Sequence, residues 1–172
     1  YLIKQKIFGE DQLEILYDPI IDVSTFVKQK NDLLNLDILK NKKFIVGIGR
    51  LTKQKNFTLL INFFEKIKNK DFNLVILGIG EDKEKLVKMS KDFDIIDRVH
   101  FLNYQSNVFK FLVNAECFIL TSLWEDPGFV IVEAGISNTS IISSDCPNGP
   151  KEIIGNNGFL FENNNLSDLH EK

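Results

Sequence analysis

The sequence predicts an α/β domain with a Rossmann-like parallel sheet of about six strands and helices on both faces. Short apolar runs alternate with amphipathic stretches from residue 44 onward, the pattern of a parallel sheet covered by helices. Several of these runs, such as Leu74–Leu77, are apolar without alternation, which suits a strand buried on both faces. Gly-containing turns follow the first two of them, where the chain must turn sharply into a helix.

Phe44–Gly49 (FIVGIG) is the first strand. Phe57, Leu60, Ile61, Phe64 and Ile67 then recur at helical spacing behind Asn56, so a helix is expected over 57–69 with Asn56 as its N-cap. After Leu74–Leu77, Gly78 and Gly80 lead into a helix over 82–92. A strand at Val99–Leu102, a short helix over 107–114 and a strand at Cys117–Thr121 continue the cycle. Asp126-Pro127 reads as an N-cap followed by proline at the first helical position, placing a helix from there to about Ile136. Ser140–Ser144, a short helix over 150–154 and a strand at Gly158–Phe161 complete the set. Residues 1–43 are less periodic, with one candidate strand at Leu13–Tyr17, and read as a connecting segment and the start of the domain. The Rossmann-like unit is expected to span 44–162, and 163–172 reads as a polar, frayed tail.

The 172 residues, 44% hydrophobic, suffice for one substantial core and not for two full-sized ones. A net charge of −3 argues against a nucleic-acid surface spread over the domain and points to a small partner. Only Arg50 and Arg98 are arginines among 21 basic residues, so a planar bidentate donor at Arg50 stands out. Cys117 and Cys146 have no neighbouring histidine and make neither a metal pattern nor a disulfide framework, which fits a reducing cytoplasm. No run approaches the ~20 apolar residues of a membrane span. The chain begins at Tyr1 and reads as a fragment.

In an open parallel sheet, ligands bind in the crevice outside the carboxyl ends of the strands. Four turns lie there. Gly49-Arg50-Leu51-Thr52-Lys53-Gln54-Lys55 sets an arginine and lysines beside a backbone that a ligand can approach closely, chemistry suited to a diphosphate. It lacks the third glycine of a dinucleotide fingerprint, since position 52 is Thr, and has no phosphate-loop Gly-Lys-Ser/Thr. A tight turn followed by solvated lysines is the alternative. Gly78-Ile79-Gly80 offers room for a flat base or ribose, and Asn103–Ser106, with Tyr104, offers backbone groups; neither is specific.

The fourth turn, Ser122 to Ala134, carries the argument. With Asp126 as cap, the amides of Gly128 and Phe129 would face the crevice at the positive end of a helix. Glu125 would sit at the mouth, and Glu133 would lean back toward the ligand. Two carboxylates beside a phosphate site suit the hydroxyls of a ribose and a hexose. The alternative is an exposed loop acid and a solvated helix residue. His100 reads as a partnered strand histidine, His170 as tail, Trp124 as packing, and Asp145 as a turn former near the ligand.

These residues resemble the retaining glycosyltransferases of the GT-B fold, in the glycosyltransferase group 1 or glycogen-synthase-like superfamily. The likeness spans about Phe44–Phe161 and rests on three elements in order. They are Gly-Arg-Leu-Thr-Lys-Gln-Lys at 49–55, the two glutamates separated by seven residues in EDPGFVIVEA, and SIISSDCPNGPKEII at 140–154. The Cys-Pro-Asn-Gly-Pro-Lys-Glu stretch resembles members that use UDP-activated hexoses or N-acetylhexosamines for surface polysaccharides and glycolipids. Asp126-Pro127 departs from the simpler Gly-containing turn of many relatives.

The resemblance implies that Arg50 and Lys55 hold the donor diphosphate, Glu125 the transferred sugar and Glu133 the ribose. Gly49, Gly78, Tyr104, Ser122, Gly128 and Phe129 complete the expected donor site. No metal is expected, because cationic side chains take its role. It also implies a preceding acceptor domain, a glycan or lipid-linked acceptor, and a cytoplasmic enzyme peripheral to the membrane. A non-hydrolysing sugar-nucleotide epimerase, a dinucleotide module and a catalytically dead interaction domain are the competing readings.

Overall fold

The computed structural model describes residues 21–32, 34, 37–40 and 42–172. The candidate strand at Leu13–Tyr17 lies outside the described residues.

Six strands form one all-parallel sheet: β1 (Lys43–Ile48), β2 (Phe72–Leu77), β3 (Val99–Leu102), β4 (Cys117–Leu120), β5 (Ser140–Ser144) and β6 (Phe159–Phe161). Their spatial order is β3-β2-β1-β4-β5-β6, the doubly wound order in which the winding direction reverses between β1 and β4. The connecting helices are α2 (Phe57–Glu65), α3 (Lys83–Asp92), α4 (Phe109–Leu112), α5 (Phe129–Ile136) and α6 (Pro150–Ile154). They are flanked by α1 (Val23–Gln29) and α7 (Leu166–His170).

The apolar strands are buried on both sides, as their uninterrupted runs require. Ile45, Leu74, Ile76 and Ile119 point to one face, where Leu60, Ile61 and Phe64 of α2 and Leu86 of α3 cover them. Phe44, Val46, Val75, Leu77, Phe118 and Leu120 point to the other, under Phe111 and Leu112 of α4 and Ile131 and Ala134 of α5.

Several helices are shorter than periodicity predicts. α2 ends at Glu65 and α4 covers only 109–112. Asn56 precedes α2 without a side-chain capping bond, because its left-handed backbone (φ 49°) is not the extended conformation a capping side chain needs. Within the stretch read as connecting segment, Asp22 caps α1 by accepting from the Ser24 N–H, and Phe26 packs edge-on against Phe109 at 5.1 Å. The tail also departs from expectation. Asn165 caps α7, and Leu169 is buried against the α2 face. A short polar helix of this kind is held by its one buried anchor rather than by propensity.

Leu169→Ala should therefore lower unfolding stability by about 2–5 kcal/mol in a urea titration. A change below about 0.5 kcal/mol, typical of a surface position, would show that α7 adds nothing to the core.

Candidate functional site

β1 pairs with all of β2 but with β4 only at Ile45–Cys117 and Val46–Phe118. Beyond that point the two strands diverge, and the loops that follow them border an open crevice, as the reversal of winding demands.

The two loops are nevertheless tied into one body. The Leu123 N–H donates to the Gln54 carbonyl at 2.8 Å, Gln54 Nε2 donates to the Trp124 carbonyl at 3.0 Å, and Thr121 Oγ1 donates to the Lys55 carbonyl at 3.0 Å. At their junction Lys55 Nζ reaches both oxygens of Glu125, at 2.6 and 2.7 Å. Glu125 is 3% exposed and the lysine side chain 14%. Ser122 Oγ donates to Glu125 Oε1 as well, and Ser144 Oγ donates to the Ser122 carbonyl at 2.7 Å. The carboxylate thus receives three donated bonds, which offset the desolvation that burial imposes on it.

Two clefts open beside this pair and meet at Arg50. The first, of about 340 Å³, lies outside β1, β2 and β3 and includes Gly49, Arg50, Gly78, Tyr104 and Glu133 in its lining. The second, of about 520 Å³, is walled by Arg50, Gln54, Lys55, Trp124, Glu125, Asp126 and Asn148. The first is mainly apolar, with aliphatic and aromatic side chains, and carries Arg50, one acid and the polar groups of the 104–106 turn, suited to a flat heterocycle and a diol. The second is dominated by polar groups. Arg50 is exposed between them and forms no ion pair with a described residue.

Of the expected site residues, Arg50, Lys55, Glu125, Gly49, Gly78, Tyr104 and Glu133 border the clefts. Ser122 does not, being fully buried beneath Glu125. Gly128 and Phe129 lie outside both linings. Asp126 is not a helix cap. The Glu125 N–H is bonded to the Pro147 carbonyl at 3.0 Å, and the chain enters α5 only at Gly128, whose left-handed φ of 88° marks the boundary. Asp126 is left exposed in the loop, on the wall of the second cleft. Trp124, expected in packing, is 45% exposed on the same wall. Asp145 instead faces Lys151 at 3.6 Å and lies outside both linings, whereas Asn148 borders the second cleft. Periodicity carries no signal for Gln54 or Asn148, because both sit in loops positioned by contacts distant in sequence. His100 is partnered as expected, with Nε2 at 2.9 Å from Asn73 Oδ1. His170 stacks on Phe63.

Burial raises the Glu133 carboxyl above its ordinary 4.5. In the window between those values the folded chain holds more protons than the unfolded one, so stability falls as pH rises through it. Glu133→Gln should therefore be more stable than the parent at pH 7, with the difference fading as the pH drops below the window. Equal stability at both ends would show that the carboxylate is as well solvated folded as unfolded. Glu125→Ala, which leaves Lys55 buried and unpaired, should lower stability by about 3–5 kcal/mol. The double replacement Glu125→Leu with Lys55→Met should cost clearly less, and an equal loss would show that packing rather than charge holds the junction.

The family described as glycosyl transferases group 1 matches residues 28–172. An uncharacterized glycosyltransferase of Methanocaldococcus jannaschii is 40% identical over 120 residues, 69% of this chain and 30% of that protein. The N-acetylgalactosamine-N,N'-diacetylbacillosaminyl-diphospho-undecaprenol 4-alpha-N-acetylgalactosaminyltransferase of Campylobacter jejuni is 31% identical over 160 residues, 92% of this chain and 42% of its own length. A crystal structure of a Staphylococcus aureus TarM mutant in complex with fondaparinux, alpha-GlcNAc-glycerol and UDP superposes with a TM-score of 0.72 at 30% identity, over 76% of this chain and 27% of that chain. The chain thus spans 27–42% of the length of these relatives. Among the described residues no helix is long and apolar enough to cross a membrane. A six-stranded doubly wound sheet, an open crevice at its reversal point, and the match across 28–172 together place this chain in the glycosyl transferases group 1 family, with the GT-B type of Rossmann-like domain.

Proposed function

We propose that the chain is the donor-binding half of a retaining glycosyltransferase. It holds a nucleoside diphosphate sugar, with UDP as the nucleotide, for transfer of a hexose or N-acetylhexosamine to a glycan or lipid-linked acceptor. The acceptor belongs to a further domain of a longer protein. The observation that carries this reading is the meeting of the two clefts at Arg50.

The nucleoside fits the first cleft, its base against the 103–106 turn and its ribose hydroxyls on Glu133. The diphosphate then passes Arg50, and the sugar enters the second cleft above Glu125. Two of the three Lys55 protons go to Glu125, leaving one for a phosphate oxygen. Arg50 and Lys55 would stabilise the charge that grows on the diphosphate as the glycosidic bond breaks, a role that a divalent cation serves elsewhere. Glu125, fixed from three sides, accepts from sugar hydroxyls. The Campylobacter relative is by name an N-acetylgalactosaminyltransferase acting on a diphospho-undecaprenol compound, and the TarM complex contains UDP; both support the choice of donor and acceptor class. Closure of a second domain over the crevice would exclude water and align the acceptor, so this half binds a donor better than it turns it over.

Calorimetric titration with UDP, GDP and ADP tests the reading. UDP should bind in preference to the other two, and Arg50→Ala and Glu133→Ala should each weaken it by about tenfold or more, the loss expected for a hydrogen bond to a charged group. Equal affinity for all three nucleotides, or no effect of either substitution, would overturn it.

A further inference from the structure

The wall of the second cleft has a charge balance that bears on which sugars it admits. Four of its seven lining residues are charged: Arg50, Lys55, Glu125 and Asp126. Lys55 and Glu125 neutralise each other at 2.6 and 2.7 Å. Arg50 also borders the nucleoside cleft, where its guanidinium lies in the path of the diphosphate. Asp126 remains. It is exposed, on the cleft wall, and in no ion pair with a described residue.

The next loop lining this cleft is neutral and firmly placed. Asn148 has a left-handed backbone, φ 66°, a conformation asparagine tolerates better than most residues. It is held between two fixed points. Before it, the Pro147 carbonyl accepts from the Glu125 N–H at 3.0 Å. After it, Gly149 (φ 117°) packs so closely on the preceding loop that a Cβ there would lie 2.0 Å from the Pro127 carbonyl oxygen. The 146–149 loop is therefore clamped onto the 125–128 loop, and Asn148 and Asp126 are presented to one space, with the half-exposed Trp124 indole beside them.

We propose that Asp126, with Asn148, selects the donor sugar by charge: the second cleft admits an uncharged hexose or N-acetylhexosamine and rejects a sugar carrying a carboxylate. Asp126 accepts from hydroxyls of a neutral sugar, Asn148 donates or accepts without adding charge, and Trp124 offers an apolar face to the ring. A hexuronate has no unengaged cation to meet and faces the Asp126 carboxylate instead. The inference rests on the donor-site reading and goes beyond it by naming the residues that set the sugar's charge.

The test is titration of the chain with UDP, UDP-glucose and UDP-glucuronic acid, the last two differing in one carboxylate. UDP-glucuronic acid should bind about tenfold more weakly than UDP-glucose, the effect of like charges several ångströms apart in a partly solvated cleft. The ratio should shrink as ionic strength rises. Asp126→Asn should reduce it to within about threefold, and Asn148→Asp, which adds a second carboxylate to the same cleft, should widen it. Retention of the full ratio in Asp126→Asn, or a parent that binds both sugars equally, would overturn the proposal while UDP still binds. Failure of UDP itself to bind would overturn the donor-site reading, and the proposal with it.

Discussion

The buried Lys55–Glu125 pair is the constraint on which the site depends. Two unit charges that are almost withdrawn from water must find each other, and here they do so across a crevice that the sheet topology would otherwise leave open. Each partner lies on a loop that follows a central strand, one after β1 and the other after β4. Because the pair is desolvated, neither loop can swing away without exposing the other to an unpaired buried charge. Ser122 extends the constraint downward, since its hydroxyl holds Glu125 and its carbonyl is held by Ser144 of β5. Three adjacent parallel elements are thereby referenced to a single carboxylate.

This arrangement explains how loops can serve as precise positioning elements in a domain without a disulfide or a metal-ligand cluster among its described residues. The sheet supplies rigid strand ends, the backbone bond from Leu123 to Gln54 closes the gap, and the lack of a side chain at Gly149 lets the 146–149 loop pack against the 125–128 loop. Charge that is fully paired forms the floor of the second cleft. Charge without a salt-bridge partner among the described residues, at Arg50 and Asp126, lines the same cleft. Glu133 works differently: it is the one acid lining a mainly apolar cleft that also holds Arg50, and burial disfavours its ionised form. Such a group lowers stability and is retained where it contacts a ligand.

Much of the fold was legible because the signals are local. Uninterrupted apolar runs such as Leu74–Leu77 identify strands covered on both faces, and the spacing of Phe57, Leu60, Ile61 and Phe64 identifies the helix that covers one of them. Boundaries failed where a tertiary contact overrides a local rule. Asp126-Pro127 has the composition of a helix start, yet the bond from Glu125 to Pro147 keeps it in the loop, and the helix waits for Gly128. The polar tail reads as frayed by composition, yet one leucine anchors it to the core.

The sequence by itself determined the succession of strands and helices along the chain and the reach of the core, because periodicity encodes these directly, and the family resemblance of its motifs named the candidate set around Arg50, Lys55, Glu125 and Glu133. Only the tertiary structure decided that Lys55 and Glu125 neutralise each other, that Ser122 supports from below rather than lining the cleft, and that Asp126, Trp124 and Asn148 share one space. Those relations join residues up to 70 positions apart. They arise from strand order and loop-to-loop hydrogen bonds, which no local pattern records.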